Sequence, residues 1–465
     1  MNMVYNLELK VFPELRNLSS DGQSNVVFDV SSCHLFEVDD VVLAVLMALA
    51  EGVDDVEVSE LLAPKFDKSA VDSALAGIAE LIVNGVIRQK SRMDPSARVG
   101  QKSYLSYVVL NVSHECQLAC KYCFAHGGDY GIDDSDRIMS TEVARAAIEL
   151  VNETRGNGPA NITFFGGEPL LNWDVIRDSI EFAEKTCLDA DGKPSVVFAI
   201  TTNAIAMTPE RAQYLREHNV SIMLSIDGDK ETHNLLRPCK NPNEDSWESV
   251  VEGLRHCLDA GLAPMARATI SSMEIDLVKL ADEFKSLGFT TLNMQPVERD
   301  PGDPLALTHS DILEYEAQTV RIMERGTSEC YELRQLYPNI MAANKQHLFC
   351  GMGITGISVA PNGDIYPCHR LVGVPEFHIG SVYGGVDTLK AESWLIRHTV
   401  DNSMECRGCF MRYICRGGCY AENYYANSDL YVPYATRCHL TQHAFHRTIE
   451  HILLERKQEQ VAETE

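Results

Sequence analysis

Between residues 104 and 297, six apolar, β-branched runs recur with amphipathic segments between them, and this alternation constrains the fold more than any other feature. The runs are "YLSYVVLNVS", "NITFFGG", "VVFAITTN", "VSIMLSIDG", "MARATIS" and "TTLNMQPV"; "EVARAAIELVNE", "WDVIRDSIEFAEKT" and "PERAQYLREH" carry helical periodicity between them. Strands joined through helices build a parallel α/β sheet, here a partial (β/α)6 barrel of TIM type, closed or partly closed. Catalytic groups are then expected at the carboxyl ends of the strands.

That unit, taken as residues 99–330, has neighbours on both sides. Residues 1–98 read as a strand "NVVFDV", a helix "DDVVLAVLMALAEG" closed by Gly52, two further helices turning at Pro64, and a terminal strand "GVIRQK", the order of a small winged-helix module. This segment holds eight Lys and Arg against sixteen Asp and Glu. Such a surface argues against DNA as its partner. A polar linker, "SRMDPSARVGQKS", leads into the first barrel strand. After residue 331 the texture changes to Gly- and Tyr-rich sequence with seven cysteines, closed by a helical "TQHAFHRTIEHILLERKQEQ".

With 40 Lys and Arg against 67 Asp and Glu, the chain carries a formal charge of -27, which disfavours nucleic acid and anionic membrane as partners. Its most hydrophobic run, "VVLAVLMALA", has ten residues. A spanning helix needs about 20. The start of the chain lacks the apolar core of a signal peptide, so a cytoplasmic protein is expected. Fifteen cysteines in that reducing compartment point to metal ligation or redox work rather than to disulfides.

Three of them, Cys116, Cys120 and Cys123, follow the first barrel strand with the spacing C-x3-C-x2-C. Three thiolates converging from one loop suit an iron-sulfur cube and leave one iron open to a small molecule. A zinc site completed by His114 or His126 is the competing reading. The pattern, with Tyr122 before the last cysteine and a βα barrel behind it, resembles the radical S-adenosylmethionine (SAM) enzymes. The resemblance implies a 4Fe-4S cluster whose open iron is chelated by the amino and carboxylate groups of SAM. It also implies reductive cleavage of SAM to methionine and a 5'-deoxyadenosyl radical that takes hydrogen from substrate, with an external one-electron reductant. "FFGGEP" is the second match: Gly166, Gly167, Glu168 and Pro169 would hold the methionyl amino group, the glycines letting backbone approach the ligand. Thr201, Thr202 and Asn203 in "TTNA", and Ser225 and Asp227 in "SIDG", suit ribose hydroxyls and carboxylate; Arg267 in "RATI" suits the methionyl carboxylate. "HNLLRP", with His233 and Arg237, matches a substrate-side loop without a defined role.

In the tail, Cys350, Cys368, Cys406, Cys409, Cys415, Cys419 and Cys438 follow the pattern C-x12-G-x4-C, a gap, C-x2-C-x5-C-x3-C, a gap, and C. This is similar to the SPASM extension of radical SAM enzymes that modify peptides and proteins, taken here as residues 331–465. The resemblance implies two auxiliary 4Fe-4S clusters, three clusters in all. Cys406, Cys409, Cys415 and Cys438 would complete the outer one, and Cys350, Cys368 and Cys419 would hold the inner one. A fourth inner ligand is missing, because position 356 is Gly. Cys330, another thiol or a substrate thiolate are the candidates for that place. Cys33, Cys187, Cys239 and Cys257 remain unassigned; Cys187 and Cys257 read as small hydrophobes in helices.

Within the superfamily, "LNVSHECQLACKYCFAHGGDYG" and "ITFFGGEPLLNWDVI" look most like thioether-forming maturases of ribosomal peptides, including those for Cys-rich peptides and for the quinohemoprotein amine dehydrogenase small subunit. The N-terminal module then resembles a peptide-recognition domain that binds a leader. Carbon-carbon or ether cross-linking, a sulfatase-type maturase making formylglycine, and a non-enzymatic iron-sulfur electron-transfer protein are the alternatives.

Overall fold

The computed structural model describes residues 15–18, 25–87, 105–131, 137–272, 275–299, 302–397 and 399–464. The expected linker and the last residues of the "GVIRQK" strand lie outside them.

At the N-terminal end, β1 (Leu15–Asn17), β2 (Asn25–Asp29) and β3 (His34–Val38) form an antiparallel sheet in that order. Helices Asp40–Ala50, Asp55–Leu62 and Lys68–Val83 follow, with Pro64 in the turn before the last. Asp39 and Asp54 cap the first two by accepting backbone amides, at 2.8 Å from Val42 and 3.1 and 2.8 Å from Val56 and Glu57. Each such cap contributes about 1 kcal/mol. The turn between β2 and β3 is buried: Asp29 accepts from the Ser31 amide at 3.1 Å and the Ser32 hydroxyl at 2.6 Å. Phe28 meets Phe445 of the terminal helix Ala435–Thr464 edge-on at 5.4 Å, so this unit is docked onto the tail.

The central sheet holds the six expected strands: β4 (Tyr107–Ser113), β5 (Ala160–Gly166), β6 (Val196–Thr202), β7 (Ser221–Ser225), β8 (Met265–Ile270) and β9 (Thr291–Pro296). All neighbours are parallel and in chain order. Helices Thr141–Thr154, Trp173–Thr186, Pro209–Glu217, Ser246–Asp259 and Leu277–Ser286 lie between them in sequence. The strand period of two sorts the side chains. Val108, Leu110, Ile162, Phe164, Ala266, Ala268 and Leu292 join the buried core under the helices. Their alternates, Thr163, Phe165, Thr201, Ser225, Arg267, Thr269, Asn293 and Gln295, fall on the opposite, concave face.

The tail does not build a sheet of its own. β10 (Gly356–Val359) pairs in parallel with the free edge of β4, and β11 (Asp364–Tyr366), β12 (Gly380–Ser381) and β13 (Gly385–Val386) continue from it antiparallel. The result is one open ten-stranded sheet with β13 and β9 at its edges. Among the described residues no helix is long and apolar enough to cross a membrane.

Candidate functional site

The cysteine loop starts where β4 ends, and the glycine pair at the end of β5 lies against it. Gly167 donates to the Ser113 carbonyl at 2.7 Å and Glu168 to the Glu115 carbonyl at 2.7 Å. Gly166 sits at φ 135°, and a Cβ there would collide with the Ser113 carbonyl oxygen; one on Gly167 would collide with that of Glu115. The glycines were expected to leave space for a ligand. The close approach seen here is to the backbone of the cysteine loop, where two segments joined by main-chain hydrogen bonds leave no room for side chains. Gly128 completes the contact from the far end of the loop: its Cβ would lie 3.0 Å from Gly167 Cα and 3.1 Å from Cys116 Cβ.

Glu168 is buried and spoken for by protein donors. It accepts from the Thr202 hydroxyl at 2.6 Å, the Leu170 amide at 3.0 Å and the Asn203 amide at 2.7 Å. Burial nevertheless pushes its carboxyl up to about 7. Pro169 opens the short turn Pro169–Asn172 behind it. The Asn203 side chain reaches the Cys116 sulfur at 3.7 Å and the Gln117 side chain at 3.4 Å. Glu168, Thr202, Asn203 and Cys116 are thus brought together, through side chains that hold one another.

The other wall is "HNLLRP". Its backbone pairs with the cysteine loop: Ala119 donates to the Pro238 carbonyl at 2.8 Å, Lys121 to Leu236 at 2.9 Å, and Lys240 to Gln117 at 2.7 Å. Arg237 forks onto Asp227, Nε at 2.8 Å and Nη2 at 3.0 Å, and lies 5.3 Å over the Tyr122 ring. Asp227 also accepts from the Thr269 amide at 2.9 Å and from the Tyr122 hydroxyl. Burial alone would raise this carboxyl, but the Arg237 cation and these donors hold it below the ordinary range. The carboxylate expected to meet ribose is therefore occupied by the protein. His233, fully buried, accepts from the Asp227 amide at 3.2 Å; burial, then Arg237, push its pKa down to about 4.

On the concave face, Ser225, Arg267 and Asn293 are lateral neighbours across three strands. Arg267 donates to the Ala268 carbonyl and has no carboxylate within ion-pair distance among the described residues. Asn293 Oδ1 and Gln295 Nε2 are buried without a hydrogen-bond partner. Sequence reasoning passed over these two amides. Their signal was present as polar residues alternating with Leu292 and Met294.

The thiols themselves suit a metal rather than free ionisation. Burial, then the nearby Glu168, push Cys116 up to about 12, and burial pushes Cys120 up to about 11. Bound iron would take the thiolate outright. Among the described residues no three His, Cys, Asp or Glu converge on a single ion. A cubane takes its protein sulfurs on different irons. The three closely placed thiols, the unpaired Arg267 and the orphaned amides fit a cluster with a polar, carboxylate-bearing ligand beside it.

In the tail the cysteines fall into two groups. Cys350 is within electrostatic reach of Cys368 and Cys419. Cys415 is pushed to about 12 by burial, with Cys438, Cys409 and Cys406 adding. Cys330 joins neither group: it caps helix Tyr331–Met341, accepting from the Leu333 amide at 3.4 Å. Gly356 opens β10, and a Cβ there would already lie 3.0 Å from the Tyr107 ring.

Between the first loop and the inner group stands an aromatic partition. Tyr130 is within reach of both Cys123 and Cys368. Phe165 stacks 6.3 Å from Phe124 and 4.6 Å from His369, the residue after Cys368. Arg370 lies 5.5 Å over Phe124 and bonds Glu298 just past β9, at 3.2 Å through Nη1. Arg437 reaches Glu422 at 3.1 and 3.2 Å. These part-buried ion pairs, with Arg437 also 3.9 Å from Glu298, join the end of β9 to the tail segments that bear Cys368 and Cys419 and to the helix that bears Cys438.

Residues 110–283 match the Radical SAM superfamily. The chain is 23% identical over 456 residues, 90% of each chain, to the radical SAM cyclopropyl synthase TigE of Paramaledivibacter caminithermalis. It is 24% identical over 342 residues to the cysteine-type anaerobic sulfatase-maturating enzyme of Clostridium novyi, covering 68% of this chain and 87% of that one. In fold it resembles native anSMEcpe with bound AdoMet, at TM-score 0.62 and 18% identity over 76% of this chain and 99% of that one. Streptococcus suis SuiB bound to S-adenosylmethionine matches 90% of this chain and 99% of its own, at TM-score 0.50 and 16% identity. The match to the Radical SAM superfamily spans residues 110–283, and the proteins to which the chain is similar include sulfatase-maturating enzymes.

Proposed function

We propose that the chain is a radical SAM maturase that installs thioether cross-links, cysteine sulfur to carbon, in a ribosomally made peptide or small protein subunit. Cys116, Cys120 and Cys123 hold the SAM-binding 4Fe-4S cluster, and Arg267, Ser225, Asn203 and Thr202 lie where the cofactor's polar groups would meet the strand ends. The bound cofactors supply a carbon radical that removes hydrogen from substrate. The observation that carries the finer reading is the inner thiol group: Cys350, Cys368 and Cys419 stand together beyond the Phe124–Tyr130 partition with Cys330 committed elsewhere. A soft iron with three protein sulfurs accepts a substrate thiolate as its fourth ligand. The N-terminal sheet and helices take the leader, and an external reductant supplies electrons.

A second reading is favoured by the similarity to sulfatase-maturating enzymes and to anSMEcpe, one of whose structures holds bound AdoMet and the Kp18Cys peptide. There a cysteine would become formylglycine. Mass spectrometry of a co-expressed Cys-containing precursor separates the two. Joining sulfur to carbon removes one hydrogen from each partner and consumes the thiol while keeping sulfur. Formylglycine loses the sulfur, and a carbon-carbon link leaves the thiol free to alkylate. Recovery of product with alkylatable cysteine sinks the thioether reading.

A further inference from the structure

A fixed cation stands beside the first cysteine loop, and the mechanism sketched above makes no use of it. Arg237 and Asp227 are both buried and share two hydrogen bonds at 2.8 and 3.0 Å. The guanidinium covers the ring of Tyr122, which lies between Cys120 and Cys123. The backbone sets it beside Cys120: Ala119 donates to the Pro238 carbonyl at 2.8 Å and Lys121 to the Leu236 carbonyl at 2.9 Å, so Arg237 and Cys120 stand opposite each other between these bonds. Asp227 is itself immobile, pinned by the Thr269 amide and the Tyr122 hydroxyl. Arg237 is thus a cation held beside the cysteine loop by a fixed counter-charge.

Resting on the reading that Cys116, Cys120 and Cys123 carry a 4Fe-4S cluster, we infer that Arg237 is a positioning residue that sets the reduction potential of that cluster through Cys120, with Asp227 holding its charge in place. A cluster gains one negative charge when it takes up an electron. A cation beside the cluster favours the reduced state, and net charge is among the things that tune such potentials. The two members of the pair therefore act with opposite sign. Arg237→Gln removes the cation and makes the cluster harder to reduce. Asp227→Asn keeps an acceptor for Thr269 but leaves the guanidinium uncompensated, and makes it easier to reduce.

The experiment is an anaerobic redox titration of the reconstituted full chain. It follows that part of the reduced-cluster electron paramagnetic resonance signal that changes on adding SAM, with iron and sulfide assayed on each sample. The expected result is a reduced-to-oxidised ratio at fixed potential lowered about tenfold in Arg237→Gln, a displacement of about 59 mV for one electron. Asp227→Asn should shift it in the opposite direction, and Arg237→Lys, which keeps the charge, should return it toward wild type. Equal potentials in all four proteins overturn the inference. So does a shift of the same sign in Arg237→Gln and Asp227→Asn, which marks mere loosening of the loop. If Arg237→Gln fails to hold iron, the Asp227→Asn and Arg237→Lys shifts decide alone. Failure of the underlying reading looks different: the SAM-responsive signal would then survive replacement of Cys116, Cys120 and Cys123 by Ala.

Discussion

Glu168 accepts the Asn203 backbone amide at 2.7 Å, and through this bond the end of β5 fixes the turn whose side chain touches the Cys116 sulfur. Glu168→Ala would leave the Thr202 hydroxyl and the Leu170 and Asn203 amides without their acceptor in a buried site. At about 1–3 kcal/mol for each stranded group, partly relieved by relaxation, the loss should be about 3 kcal/mol. Glu168→Gln, which keeps an acceptor, should cost less than half as much. Denaturant titration of the two variants beside wild type makes the comparison.

Gly167→Ala tests the close approach of the two loops. The added Cβ collides with the Glu115 carbonyl, so either the cysteine loop or β5 must shift. We expect iron binding at the first site to fall while the tail clusters remain. Full iron content and undiminished SAM cleavage in this variant would contradict the packing described.

Iron stoichiometry separates the thiol groups. Three cubanes hold about twelve irons. Cys116→Ala and Cys120→Ala should abolish 5'-deoxyadenosine formation. Cys406→Ala and Cys409→Ala should lower iron by about one cluster of four, retain some uncoupled SAM cleavage and lose peptide product. Cys330→Ala should change neither iron nor product, since that thiol caps a helix away from both groups.

Two buried titrating groups oppose each other in their effect on stability. His233 is held near 4 against an ordinary 6.5. Between those values the unfolded chain binds more protons, so its contribution is complete above 6.5 and falls away on acidification toward 4. Glu168 is raised to about 7 from 4.5. There the folded chain binds the proton more tightly, so its contribution is complete below 4.5 and is lost as pH rises through 7. Each is worth about 3 kcal/mol on the scale of 1.4 kcal/mol per pH unit. Wild-type stability should accordingly vary little through these two groups between 4.5 and 6.5. His233→Gln should gain stability on acidification across that window, and Glu168→Gln should lose it. Parallel unfolding curves at both ends of the window for all three proteins would refute the assignment.

The six parallel strands were legible because strand and helix periods differ and the six runs keep them. The cysteines were legible because their spacing is local. What the sequence concealed were relations across space. Gly166 and Gly167 announce a close approach, but not that Ser113 and Glu115 are what approaches. Asp227 looks available until Arg237, on the far side of helix Lys230–Leu236, turns back onto it. Asn293 and Gln295 were hidden for a different reason: two amides in a strand look like ordinary polar alternation until burial shows them unpartnered. The pairing of β10 with β4 had no sequence signal at all, since a four-residue strand carries too little pattern to name its neighbour.

That last pairing bears on how the molecule is made. Val109 of β4 and Ser358 of β10 are partners in the sheet, yet they leave the ribosome far apart in time. At about 5–20 residues per second, the strand that leads into the cysteine loop waits on the order of 10–50 seconds for its second neighbour. Throughout that interval it presents an open edge of Val and Leu to any other nascent chain. The first cysteine loop can close onto β5 and onto the backbone of Leu236 and Pro238 before then, so insertion of iron at Cys116, Cys120 and Cys123 can precede completion of the sheet, whereas the tail thiols must follow it. Chaperone demand during synthesis is set by this single late strand.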